Sequence, residues 1–125
     1  MNDFELIHRY SRKQAIEDGT LIDVSETARE AGIKYPVALT AAVHESYVLI
    51  PPGVTAQDES GRLWDILFLL HVAIKRAPDS EGDTILYTLF VRNDDTAPRA
   101  VKLKAIVHPG DSGEPVITVM LPQED

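Results

Sequence analysis

The spacing of hydrophobic and polar positions changes from helical to alternating between residues 77 and 84, and the chain divides there. The stretch from Gly61 to Ala77, GRLWDILFLLHVAIKRA, is too long and too apolar for a surface element and is stopped by Pro78 and Asp79. It predicts a buried central helix. At about 100° per residue, Leu63, Ile66, Leu67, Leu70 and Ile74 share one face, while Trp64, Phe68, His71 and Lys75 form a second stripe. The first face suits a sheet of the same chain; the second asks for a partner.

From Thr84 the period becomes two. Ile85, Tyr87, Leu89 and Val91 share one face, opposite Leu86, Thr88, Phe90 and Arg92, so this strand is apolar on both sides. After the loop Asn93 to Pro98, a second strand puts Val101, Leu103, Ala105 and Val107 inward and Lys102, Lys104, Ile106 and His108 outward. The turn Pro109 to Pro115 leads to a last strand, Val116 to Leu121. Three strands joined by short loops predict an antiparallel meander.

Upstream, Met1 to His8 is a weakly patterned lead-in, and Ser11 to Asp18 predicts a short helix with Ser11 as N-cap and Gly19 at C′. Leu21 to Val24 predicts a strand, followed by a helix of barely two turns capped by Ser25 and closed by Gly32. Ile33 to Leu39 is expected to be extended around Pro36, with Thr40 capping a short helix and Tyr47 to Ile50 a further strand before the turn Pro51-Pro52-Gly53. The predicted class is α+β. Short N-terminal helices and strands precede the central buried helix and the C-terminal three-stranded antiparallel meander, in one domain of residues 1–125.

Composition narrows the chemistry. The chain has no cysteine, which removes disulfides, thiolate nucleophiles and zinc ribbons. A formal net charge of −8 argues against a nucleic-acid partner, because binding would gain nothing from counterion release. No apolar run approaches the roughly 18 residues of a membrane span, and Met1 opens no charged-then-apolar leader. A cytoplasmic protein without a membrane partner is expected.

No constellation argues for catalysis. His8, His44, His71 and His108 are far apart and lack His or carboxylate neighbours at metal-site spacing, so no metal and no cofactor are expected. Asp111-Ser112-Gly113 lacks the strand-to-helix context of a nucleophile elbow, and the pairs Asp94/Asp95 and Glu17/Asp18 fit solvated turns. Binding without turnover is the simpler expectation.

The polar groups least explained as scaffold lie on the meander. Arg92, Lys102 and Lys104 predict a cation patch, with Asn93 to read a base or ribose edge and the turn at Gly110 and Asp111 to offer backbone N–H groups as an anion nest. Arg29, with Glu26 three residues before it, either projects toward a ligand or forms a surface pair. The competing reading makes Lys102 and Lys104 gatekeepers on a solvated strand face. Trp64, Phe68 and His71 are the expected homo-oligomer interface.

Several separated motifs agree in order and spacing with a known group. Tyr10 to Gly19, Leu21 to Ser25, Ala28 to Thr40, Gly61 to Asp65, Val91-Arg-Asn93 and Gly113 to Thr118 resemble a family of small proteins of unknown function carried on bacterial plasmids and phages. His44-Glu45 departs from it, where the family resemblance leads one to expect Trp after the Ala-Val pair. In size and layout, though not in motif, the chain is similar to the phage anti-defence proteins that sequester the cyclic ADP-ribose-type signal of Thoeris immunity. The resemblance implies a non-enzymatic counter-defence protein in a bacterial host, sequestering a small anionic nucleotide. The alternatives are an acidic inhibitor docking on a basic defence protein, as many anti-CRISPR proteins do, and a plasmid accessory interaction module.

Overall fold

Local signals position each element of the computed structural model, which describes residues 10–77, 82–94 and 96–124. Helix α1 (Arg12–Asp18) starts at a full capping box, in which Ser11 Oγ accepts from the Gln14 N–H and the Gln14 side chain accepts from the Ser11 N–H; it ends at Gly19, in the left-handed region. Strand β1 (Leu21–Asp23) leads into α2 (Ser25–Glu30). Ser25 does not cap this helix as predicted: its hydroxyl donates to Asp23 Oδ1 at 2.6 Å and accepts from the Val37 N–H at 3.0 Å, tying β1 to the next strand. Strand β2 (Val37–Thr40) runs into α3 (Ala41–Val43), with Thr40 as the expected cap.

The expected strand from Tyr47 to Ile50 does not form. The chain instead continues α3 as a π-helical turn, His44–Val48, which turns Val48 into the core. Aliphatic and aromatic residues in a short run do not separate strand from buried helix by pattern alone. The long helix α4 (Glu59–Arg76) begins at Asp58, whose Oδ1 accepts from the Gly61 N–H, and is followed by β3 (Thr84–Val91), β4 (Arg99–Pro109) and β5 (Pro115–Met120).

The strands form one five-stranded sheet in the order β1-β2-β5-β4-β3. The meander β3-β4-β5 is antiparallel as predicted. Beyond it, β5 pairs in parallel with β2, Val37 opposite Ile117, and so draws the N-terminal strands into the same sheet. One face carries the core. Val37, Leu39, Tyr87, Leu89, Leu103, Ala105, Ile117 and Val119 meet Ile66, Leu67 and Leu70 of α4, with Ala28 and Ile33 from the α2 region. The Tyr87 hydroxyl, inside this layer, donates to the Ile66 carbonyl at 3.1 Å, and burial drives its pKa far up.

The opposite face is unequally covered. Helix α1 lies over its β1-β2-β5 half, burying Ala15 and making β5 apolar or buried on both sides from Val116 to Met120. Over β4 and β3 the face is open, and Leu86, Thr88, Phe90 and Lys102 stand in solvent.

Candidate functional site

Where α1 overhangs the open face, a cleft of about 610 Å³ runs between the helix, the end of β4 and the residues after β5, with Thr118 and Met120 at its floor. Its geometry follows from how α1 is anchored. Asp111, in the β4–β5 turn, accepts from the backbone N–H groups of Arg12 at 2.8 Å and Lys13 at 3.0 Å, fixing the helix start against the sheet. The Arg12 side chain then reaches the floor, donating through Nη1 to Thr118 Oγ1 and through Nη2 to the Ile117 carbonyl, each at 2.8 Å.

Thr118 passes the contact on. Its Oγ1 lies 2.7 Å from His108 Nε2, and His108 Nδ1 lies 3.1 Å from the Pro109 carbonyl. A carbonyl only accepts, so in the neutral ring Nδ1 carries the proton and Nε2 accepts from the Thr118 hydroxyl. The line from Arg12 through Thr118 to His108 and Pro109 is therefore a single directed chain of donors. Burial lowers the Arg12 pKa, partly offset by the fields of Asp23, Asp111 and Glu114, yet a guanidinium keeps its proton. Among the described residues no carboxylate stands within ion-pair distance of it.

The cleft's own acids are engaged. Glu124 Oε2 accepts from Thr40 Oγ1 and the Leu121 N–H, each at 2.7 Å, and its carbonyl accepts from Lys104 Nζ at 2.6 Å. At the rim the Tyr10 hydroxyl donates to Asp18, which also accepts from the Thr20 hydroxyl at 2.7 Å. Those bonds hold the Asp18 carboxyl below the usual range, Thr20 contributing most and Tyr10 next, and the same carboxylate raises the Tyr10 pKa.

The residues predicted to converge on an anion do not converge. Gly110 and Asp111 line the cleft and Lys104 borders it through Glu124, but Lys102 stands exposed on the open face beyond. Arg29 is exposed on α2, in the helix layer on the other side of the sheet. Nor is the turn an open nest. The N–H groups of Gly110, Ser112 and Gly113 have acceptors of their own, Ser112 donating to Glu114 Oε2 at 3.0 Å, so Glu114 is the anion this turn holds. A Cβ at Gly110 would meet that carboxylate at 2.3 Å.

Arg92 and Asn93 belong to a different structure, at the far end of β3. There Arg62, 6% exposed, donates from Nε to the Tyr47 carbonyl at 2.8 Å, from Nη1 to the Arg92 carbonyl at 3.1 Å and from Nη2 to Asn93 Oδ1 at 2.6 Å. Asn93 Nδ2 donates to the Ser46 carbonyl at 2.9 Å, and Arg92 turns its guanidinium to the carbonyls of Asp94 and Thr55. Burial lowers the Arg62 pKa. This clamp fastens α4, the π-helical turn and the end of β3 together, which gives Arg62, Arg92 and Asn93 a scaffold role.

Of the expected interface residues, Trp64 and Phe68 stand together in solvent, 38% and 44% exposed, with rings stacked 6.0 Å apart. His71 is half-buried and packs over Gly32, whose Cβ position lies 2.9 Å from the imidazole, so it leaves the stripe.

Sequence reasoning missed Arg12, Thr118 and the role of His108. The outward phase of His108 was legible; the overhang of α1 depends on the β2–β5 pairing and on Asp111, signals separated by about a hundred residues in the chain. Among the described residues, no group of three or more His, Asp or Glu side chains could hold a metal, and no helix is long and apolar enough to cross a membrane.

The molecule is thus an α+β protein with a half-covered sheet and a polar cleft under the covering helix. A family model matches residues 1–125, and the chain belongs to the family of unknown function DUF6573. No curated protein and no solved structure matches it.

Proposed function

We propose that this protein is a non-enzymatic binding protein whose cleft holds a small anionic ligand of the nucleotide class, and that it serves a mobile element as a sponge for such an immune signal. The observation that carries this reading is Arg12: a guanidinium removed from much of its water, held at a cleft floor by neutral oxygens, with N–H groups left over for an anion. The volume suits a nucleotide-sized molecule. The Tyr10 ring at the rim supplies an aromatic surface, and Lys104 a second cation nearby.

Binding without turnover is favoured by Thr118. It pairs with His108 as a nucleophile pairs with a base, but it is 6% exposed and its oxygen already accepts from Arg12, which lowers its nucleophilicity and access. Titration calorimetry with a panel of cyclic and linear adenine nucleotides tests the proposal. Binding of at least one member is expected, weakened about tenfold or more by Arg12→Ala, with ligand recovered unchanged. Turnover of the ligand would replace the sponge by an enzyme, and no binding by any member would remove it.

A second reading is supported by the start of α4, where the exposed Trp64–Phe68 pair adjoins the exposed carboxylates Asp58 and Asp65. Aromatic anchors beside acids suit a basic protein surface. Salt-sensitive capture of a basic defence protein, lost in Trp64→Ala, is its distinguishing result.

A further inference from the structure

Among the described residues, nothing covers the free edge of strand β3. Its sequence from Thr84 to Val91, TILYTLFV, has no charge, no proline and no glycine, and among the described residues it pairs only with β4. Its outward side chains Leu86 and Phe90 are 63% and 69% exposed. Soluble proteins blunt long edges with charge, proline, bulges or brevity, because the unpaired N–H and C=O groups template another strand. The other edge, β1, is only three residues long. The β3 edge is eight residues and uses none of those devices.

We infer that β3 pairs antiparallel with β3 of a second copy of this chain, about a two-fold axis through Thr88, joining the two sheets into one. The outward pattern selects a second copy as the occupant. Leu86 and Phe90 stand symmetrically about Thr88, so the two-fold sets Leu86 of each copy opposite Phe90 of the other and Thr88 opposite Thr88. The neighbouring registers, centred on Tyr87 or Leu89, leave Leu86 or Phe90 facing Thr88, and those centred on Leu86 or Phe90 carry the other large side chain past the end of the partner strand. Charge agrees with this choice. Two chains of net charge −8 repel over most of their surfaces, and an uncharged strand lets them meet. The ionised groups of β4 on that face, Lys102 opposite Thr88 and Lys104 opposite Leu86, sit one strand back, about three strand spacings from their counterparts, or roughly 14 Å, beyond a Debye length at physiological salt.

This surface is distinct from the Trp64–Phe68 stripe and from the cleft, so its test is independent of the proposed ligand. The chain lacks cysteine, and a single Thr88→Cys gives an unambiguous crosslink. Directly opposed residues in an antiparallel pair have Cα atoms roughly 4.5 to 5.5 Å apart, within disulfide range. The full chain is expected to sediment as a dimer at micromolar concentration, and Thr88→Cys to crosslink on mild oxidation, while Trp64→Cys does not. Leu86→Lys with Phe90→Lys, both at exposed positions, is expected to give a monomer with an unchanged circular dichroism spectrum. A monomeric wild-type protein, or a dimer that crosslinks through Trp64→Cys and survives the double lysine variant, overturns the inference.

Discussion

Arg62 and Arg12 meet the same physical demand with opposite consequences. Both are desolvated, both guanidinium groups donate to neutral oxygens, and among the described residues neither guanidinium has a carboxylate within ion-pair distance. Around Arg62 acceptors come from two separate segments, the π-helical turn and the end of β3, and the side chain is sealed at 6% exposure. Around Arg12 two acceptors hold one edge of the guanidinium, and the cleft lies beside it. Whether a buried arginine is a bracket or a binding group thus depends on where its remaining donors go, not on its charge or burial alone.

The largest effect should come from breaking the bracket. Arg62→Ala strips the donor from the carbonyls of Tyr47 and Arg92 and from Asn93 Oδ1, and opens a cavity beneath α4. A loss of about 3 kcal/mol is expected in urea unfolding. Arg62→Lys should recover only a small part, because an ammonium cannot span the fork. A loss below about 1 kcal/mol would remove the clamp as a stabilising unit.

Asn93 sharpens the same point at about half the size. Asn93→Ala is expected to cost about 1.5 kcal/mol, since it breaks the bonds to Arg62 and to Ser46 together. Combined with Arg62→Ala it should add almost nothing, because the two share one network. Full additivity would mean the guanidinium and the amide stabilise the fold separately.

Arg12→Ala is the counterpart and should cost only about 1 kcal/mol of stability, while weakening ligand binding about tenfold or more. The helix start stays fixed by the Ser11 cap and by Asp111, both of which use backbone groups that the substitution leaves alone. If Arg12→Ala destabilised as much as Arg62→Ala, both arginines would be brackets and the contrast would fail.

How much of this was legible in the sequence divides along the same line. The buried stripe of α4, the alternation in β3 and β4, the caps Ser11 and Thr40 and the antiparallel meander follow from local pattern, and the structure has them. The parallel pairing of β2 with β5 is not a local property: four residues, Val37 to Thr40, carry no mark of the strand they will meet some eighty positions later. The candidate site inherits that difficulty. Lys102 and His108 were placed on the correct face by alternation, but which outward residues would be roofed by α1 and which left bare was decided by the strand order. Asn93 and Arg92 looked like recognition groups because polar residues after a strand often are; a buried arginine fifteen residues from its first acceptor had already claimed them.

The smallest effect separates the two regions by pH. Asp18 at the cleft rim and Asp94 near the clamp are both exposed, and both are held below the usual carboxylate range, Asp18 chiefly by Thr20 and then Tyr10, Asp94 chiefly by Thr96. A folded-state pKa below the unfolded value of about 3.9 gives stability that is present above that pH and is lost as pH falls through the folded value. Each therefore contributes to an acid limb of thermal stability below about pH 4, and Asp18→Asn or Asp94→Asn should each flatten it slightly. Their effects on binding should differ. Asp18 orients Tyr10 and Thr20, both of which line the cleft, so Asp18→Asn is expected to shift ligand affinity at neutral pH, whereas Asp94→Asn leaves it unchanged. Equal affinities in the two variants would detach the rim from the site and leave Arg12 as the cleft's binding group without Tyr10.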